Sequence, residues 1–211
     1  MDPATRHSKR AKEARKSGNP LAAGEYLTAK AYSHLGERPA RDNRHGVYRA
    51  ERAFTEAILC YRLGDKPDRA KNRSQQGELI SEDTIDLWTD HYDPPGLYLW
   101  QGALHEYVGD LKVAANRESA RDSYAAARSC YDNAGECVSG GDWTLIDTGE
   151  MNDYSMGLFN DLISLTGADI EKVSGLDDEM THQEWVEYKQ RQLPGLVEAL
   201  LECGIEVYSE N

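Results

Sequence analysis

The side chains best suited to hold a metal ion are Asp86, Asp90, His91 and Asp93, which lie close together along the chain. Carboxylate oxygens are the ligands that hard cations such as Ca²⁺ and Mg²⁺ prefer. Asp86 and Asp90 are equally typical of a solvated helix face, and we favour that interpretation. No cysteine–histidine pairing has the spacing of a zinc site. We therefore expect no metal and no cofactor.

The catalytic candidates are equally sparse. His105 lies beside an apolar stripe, where a packed or hydrogen-bonded histidine is favoured over a general base. The Ser-Met-Gly sequence at 155–157 lacks the preceding glycine of a nucleophile elbow. The Ser-Gly-Gly sequence at 139–141 lacks the following lysine of a phosphate-binding loop. The sequence thus predicts no catalytic residue, and we expect a protein that is not an enzyme.

Basic side chains near the N-terminus could contact an anionic partner. The pattern predicts a helix over 5–17 whose bases point in every direction, which suits phosphate attraction rather than base readout. No aromatic residue lies among them, so docking on an acidic protein surface is the stronger interpretation, with RNA or ribosome contact and a solvated helix as alternatives. The candidate contacts are Arg6, Lys9, Arg10, Lys12, Arg15 and Lys16.

Charge is abundant and unevenly distributed. The 211 residues contain 37 acids and 24 bases, a net charge of −13. Residues 1–75 hold 17 bases and 9 acids, whereas residues 76–211 hold 7 bases and 28 acids. Such asymmetry indicates either an interaction surface or attraction between the two halves or between copies. The acidic, lysine-poor composition resembles that of salt-in halophile proteins, which would account for the acidity without any partner.

Three sequence features bear on the cellular compartment: membrane spans, a secretory signal and cysteine spacing. No apolar run approaches the roughly 18–20 residues of a membrane span, and no apolar segment follows the basic N-terminus as in a secretory signal. The four cysteines show no Cys-x-x-Cys spacing, so reduced thiols are the default. We expect a cytoplasmic protein that does not enter a membrane.

Two amphipathic helices must position any site in the central region. Leu97, Trp100, Leu104 and Tyr107 recur at helical spacing. Gly109 is expected to end this helix and Asp110 to cap the next one, which continues to about residue 134. Two apolar stripes joined by so short a connection predict an antiparallel helix pair.

Similar turn signals occur earlier in the chain. Gly18-Asn19, Gly64-Asp65 and Gly109-Asp110 are 46 and 45 residues apart. A small residue precedes each turn glycine by seven positions: Ala11, Ala57 and Gly102. A fixed period with small residues at helix crossings is typical of helical repeats.

These positions resemble the tetratricopeptide repeat, in which a small residue, a Gly-Asp pair and an alanine follow one another. Gly102, Gly109-Asp110 and Ala114 match that pattern, although the period exceeds the 34 residues of the family. The resemblance covers about residues 5–135. It implies a right-handed superhelix that binds a peptide or protein in its concave groove, and it implies no catalytic residues. Groove candidates on the innermost helices are Arg52, Arg62, Trp100, His105 and Arg121.

The predicted architecture is all-α. Three hairpins occupy about 5–40, 44–91 and 95–135 within residues 1–136, a linker loop covers 137–150, and residues 151–211 form a helical capping region. The predicted function is a non-enzymatic adaptor or scaffold that binds a peptide or protein in a helical groove. The alternative is an RNA- or ribosome-associated protein that uses the basic N-terminal helix.

Overall fold

The chain folds into α-helices throughout the part that the structure describes. The computed structural model describes residues 2–37, 39, 42–138, 149–173 and 180–204. Within these ranges there are eight helices and no strand, which confirms the predicted all-α class for them. The helices are α1 Pro3–Lys16, α2 Pro20–Leu35, α3 Arg44–Leu63, α4 Pro67–Thr89, α5 Gly96–Ala114, α6 Ala120–Val138, α7 Gly149–Thr166 and α8 His182–Cys203.

Local sequence signals explain most of these helix ends. Asn19 caps α2 by accepting a hydrogen bond from the Ala22 N–H, and Pro20 follows in the first turn. Thr181 and Glu184 form a capping box at the start of α8. α8 runs to Cys203 with Pro194 inside the helix.

Three connections share one turn geometry. The residue after each C-cap has a positive φ: Gly18 at 69°, Asp65 at 54° and Asn116 at 54°. In each turn the next residue donates a backbone hydrogen bond five positions back, to Ala14, Tyr61 and Lys112 respectively, at 2.8–2.9 Å. These are Schellman motifs, and they join α1 to α2, α3 to α4 and α5 to α6.

The turn predicted at Gly109-Asp110 is wrong. α5 continues through both residues to Ala114, and the chain reverses at Asn116 instead. Gly109 lies against the ring of Tyr124, and Asp110 is fully buried. The equal spacing of the turns is therefore wrong as well, because the positive-φ residues are 47 and 51 positions apart. Long-range packing with α6 and α8 outweighs the local helix-ending tendency of a Gly-Asp pair.

Successive helices pack in chain order, and the last two fold back over the others. α7 contacts α3 and α8, while α8 contacts α3, α5 and α6. Phe159 of α7 and Trp185 of α8 share one apolar core with Phe54 and Ile58 of α3. The C-terminal helices are therefore part of the main core.

The largest part of the predicted linker loop, residues 139–148, lies outside the described residues. Among the residues that are described, no helix is long and apolar enough to cross a membrane.

Replacing Gly109 by alanine tests the continuous form of α5. A Cβ at this position would lie 2.4 Å from Cε1 of Tyr124, so the buried ring would have to shift. We expect Gly109→Ala to lower the free energy of unfolding by about 1–3 kcal/mol in urea denaturation.

The matched control is Gly135→Ala in α6, where nothing lies within 4 Å of the new Cβ. Helix propensity should raise the free energy of unfolding there by about 0.5–1 kcal/mol. Equal effects of the two substitutions would contradict the close approach of α5 and α6.

Candidate binding site

A buried ionic cluster joins α5 to α8. The Lys189 side chain, 1% exposed, places its Nζ 2.7 Å from Oε1 of Glu106 and 2.6 Å from Oδ2 of Asp110. Glu106 and Asp110 are four residues apart, so both carboxylates point from the same face of α5. One ammonium group therefore bridges two carboxylates inside the protein.

Aromatic donors complete the cluster. The Tyr131 hydroxyl and the Trp185 indole N–H donate to Glu106 at 3.0 and 2.9 Å, and the Tyr124 hydroxyl donates to Asp110 at 2.8 Å. Buried ion pairs are tolerated when the remaining lone pairs receive hydrogen bonds in this way. The cluster thereby links three helices, since Tyr124 and Tyr131 belong to α6.

The electrostatics of the cluster favour a structural role. Burial lowers the pKa of Lys189, but Asp110 and Glu106 outweigh that effect and raise it above its ordinary value. A protonated amine in a closed site is neither a nucleophile nor a base. The cluster holds α8 in place and thereby shapes the surface around it.

Two of the predicted groove residues contact these C-terminal helices. Arg52 of α3 pairs with Asp161 of α7 at 2.7 Å and with Glu56 at 3.1 Å. Arg62 of α3 pairs with Glu198 of α8 at 3.0 Å. The face of α3 predicted to line a groove is therefore covered in part by α7 and α8.

The other three groove candidates have different surroundings. Trp100 packs beneath Arg44, whose guanidinium carbon is 3.9 Å from one of the indole ring centroids. His105 is half-buried, and burial lowers its pKa, with a further lowering by Lys112. Arg121 is exposed at a cleft of about 470 Å³ between α6 and α8, together with Gln190 and Glu198.

A second cleft of about 470 Å³ lies between α1, α2, α3 and α7, and we call it the α1–α7 cleft. Its polar lining includes Arg15, Lys30 and Arg52 with Glu56 and Asp161. Although burial raises the pKa of Glu56, Lys30, Arg52 and Arg15 lower it below its ordinary value overall. Three cations thus surround one largely buried carboxylate.

An adjacent cleft of about 350 Å³ extends this site. It shares Ser8 and Lys30 with the α1–α7 cleft and adds Arg49, His34 and Glu37. His34 Nδ1 lies 3.0 Å from Oε1 of Glu37. Lys30 therefore stands at the junction of two neighbouring clefts.

The basic residues predicted to contact an anionic partner divide between two surfaces. Arg15 lines the α1–α7 cleft. Arg10 lies over the ring of Tyr26, with its guanidinium carbon 5.7 Å from the ring centroid. All six bases except Arg15 are exposed, namely Arg6, Lys9, Arg10, Lys12 and Lys16.

Sequence reasoning missed Lys30, Glu56 and the buried cluster. Lys30 has no local charge signal in the sequence, because the charged residues that share its cleft, Arg15, Arg52 and Glu56, belong to α1 and α3. Glu106 and Asp110 do carry a detectable signal, since two acids at i and i+4 lie among apolar residues. Among the described residues, no three or more histidine, cysteine, aspartate or glutamate side chains form a group that could hold a metal ion.

Comparison with known proteins identifies no relative. No protein-family model matches the chain, and no curated protein or solved structure matches it.

Removing the Lys189 ammonium should be strongly destabilising. We expect Lys189→Met to lower the free energy of unfolding by about 3–5 kcal/mol, because two buried carboxylates lose their counter-charge. Burial raises the pKa of Asp110 even with the ammonium in place. Without the ammonium this pKa should rise further above its unfolded value, so the stability of the variant should fall as pH rises. The loss should be smaller near pH 5 than near pH 8 in thermal denaturation.

Exposed Lys172 provides the control, since Lys172→Met should leave stability nearly unchanged at both pH values. A pH-independent loss in Lys189→Met would contradict the assigned charges.

A second buried acid should make the folded protein less stable as pH rises. Glu51 of α3 is fully buried; its Oε1 accepts a hydrogen bond from Ser81 at 3.1 Å, and its Oε2 has no hydrogen-bond partner among the described residues. Burial raises its pKa from 4.5 to about 8. Between these values the folded state holds a proton that the unfolded state releases. The free energy of unfolding should therefore fall by about 1.4 kcal/mol per pH unit.

Glu51→Gln keeps an acceptor for Ser81 and removes the titration. We expect this variant to gain stability over the wild type as pH rises from about 5 to 8, whereas exposed Glu82→Gln should follow the wild-type curve. Parallel curves for Glu51→Gln and the wild type would show that Glu51 is ionised in the folded protein.

Proposed function

We propose that this protein is a non-enzymatic interaction module that binds an acidic segment of a partner protein in the α1–α7 cleft. The observation that carries the proposal is the convergence of Arg15, Lys30 and Arg52 on one concave site. An interaction module needs a recess with charge complementary to its partner, and it needs no reacting group.

Positive charge exceeds negative charge within this cleft, although the chain as a whole is acidic. Asp161 and Glu56 already pair with Arg52. Lys30 acts electrostatically on Glu56. The three cations that line the cleft outnumber its two carboxylates, so a carboxylate from outside would be attracted there. Leu165 of α7, which is only partly buried, lines the same cleft and offers an apolar contact. A segment that carries acidic and apolar side chains would therefore suit it.

We further propose a tetratricopeptide-like, right-handed superhelical arrangement of the first six helices, with residues 151–211 as its helical capping region. In its support, three helix pairs are joined by the same turn geometry. The small residues Ala11 and Ala57 are fully buried, and Gly102 lies against the Tyr131 ring.

The setting that we propose is the cytoplasm, with thiols reduced. Cys60, Cys130, Cys137 and Cys203 are all free. The resemblance of the composition to salt-in halophile proteins remains part of the proposal, so binding should be measured at low and at molar potassium chloride.

A direct test uses a fluorescent peptide of alternating glutamate and leucine residues. We expect the wild-type protein to bind it and Lys30→Ala to weaken binding by about tenfold or more, because a hydrogen bond between charged groups is lost. Fluorescence anisotropy measures both affinities. The matched control is Lys71→Ala on the exposed surface of α4, which should bind like the wild type.

Binding of a single-stranded RNA probe distinguishes the alternative, an RNA-associated protein, from the proposed peptide-binding function. Tight RNA binding that is lost when Lys9 and Lys12 are replaced by alanine, with no peptide binding, would overturn the proposal and support the RNA-associated protein. Equal peptide binding by the wild type and Lys30→Ala would overturn the assignment of the cleft.

A further inference from the structure

One face of α4 combines exposed leucines with acids. Leu79 and Leu87 are 59% and 39% exposed, whereas large apolar side chains elsewhere in the described chain are mostly buried. Asp83 and Asp86 in the helix and Asp90 at its C-cap are also exposed and follow at steps of three and four, which places them on one side of the helix. The buried residues of α4, including Ser81, Thr84 and Trp88, lie on the opposite side. We call this exposed surface the acidic face.

The charges of the acidic face are not neutralised within the described part of the molecule. Neither Asp83, Asp86 nor Asp90 forms an ion pair there. The last turn of α4 contains no basic residue. Negative charge near a helix C-terminus is disfavoured by the helix dipole. A cationic surface that covered this face would relieve that cost and shield the two leucines from water.

The outer surface of α1 has the complementary pattern. Lys9, Lys12 and Lys16 are exposed and also follow at steps of three and four, so they form one stripe, which we call the lysine stripe. The buried side chains of α1 are Ala4, Ala11 and Ala14, on the other side of the helix. The lysine stripe and the acidic face therefore carry opposite charges in equal number and at equal spacing.

We propose that the lysine stripe of one copy of this protein docks on the acidic face of a second copy. The charged residues of each stripe span roughly 10 Å of helix, at 1.5 Å per residue. The aliphatic stems of lysine can cover apolar surface while their ammonium groups reach carboxylates, which accounts for leucines beside the acids. The two surfaces are complementary but not identical, so the contact is heterologous and builds rings or open chains.

This contact is separate from the proposed binding of an acidic partner. Arg15 and Ser8 of α1 line the α1–α7 cleft, whereas the lysine stripe is exposed to solvent. Replacing the lysine stripe therefore leaves Lys30 in place. Peptide binding in the cleft and self-association can fail independently.

Sedimentation velocity of the full chain tests the proposal over a range of protein concentrations and salt. We expect the wild type to self-associate at low salt and to dissociate progressively at high salt, because exposed ion pairs are screened. Two triple variants, Lys9→Glu/Lys12→Glu/Lys16→Glu and Asp83→Lys/Asp86→Lys/Asp90→Lys, should each associate at least about tenfold more weakly, since like charges then face each other.

Mixing the two triple variants is the decisive experiment. The lysine stripe of the first variant, now negative, then faces the acidic face of the second variant, now positive. The two unchanged surfaces also face each other, so association should return. Lys66→Glu/Lys71→Glu/Lys172→Glu, which reverses three exposed lysines outside both surfaces, serves as the charge-matched control for the lysine variant and should associate like the wild type. Circular dichroism checks that every variant is folded. A wild type that stays monomeric at low salt would overturn the proposal. So would triple variants that associate normally, or a folded mixture that fails to associate.

Discussion

The bridge from Lys189 to Glu106 and Asp110 is the interaction on which the rest of the structure depends. Taking three charges out of water is costly, and that cost is offset only because the ammonium lies within 2.7 Å of both acids and aromatic donors supply three further hydrogen bonds. These bonds need Tyr124 and Tyr131 of α6, Trp185 of α8 and the carboxylates of α5 in one arrangement. An apolar contact would tolerate sliding of α8, whereas this cluster does not.

The position of α8, and of α7 beside it, determines which surfaces remain open. Arg52 and Arg62, on the inner side of α3, reach Asp161 and Glu198 of the C-terminal helices. The recess that remains beside α1 and α2 carries Lys30 and Arg15, and the one beside α6 carries Arg121. The proposed binding function therefore depends on how the C-terminal helices divide the surface of the hairpins, as well as on the hairpins themselves.

The charge asymmetry of the sequence becomes two separate surfaces in the folded chain. Much of the basic excess of residues 1–75 is displayed on α1, and part of the acidic excess lies on the exposed side of α4. Net charge alone describes neither surface, because the cleft at Lys30 is locally cationic in a protein with a charge of −13. Short-range complementarity between such surfaces gives specificity even where overall charge is strongly negative.

The sequence by itself determined the all-α class and several helix ends, and it identified core residues such as Leu104 and Tyr107. These depend on local physics: apolar residues at helical spacing, caps such as Asn19 and Thr181, and a left-handed residue at Gly18. Only the tertiary structure decided the role of Gly109-Asp110. The Gly64-Asp65 pair ends α3, while the same pair in α5 is buried inside the helix, because Tyr124 packs on Gly109 and Lys189 binds Asp110. Lys30 and Lys189 escaped prediction for the same physical reason. The charged side chains around each lysine come from distant parts of the chain, so a local sequence pattern cannot reveal them.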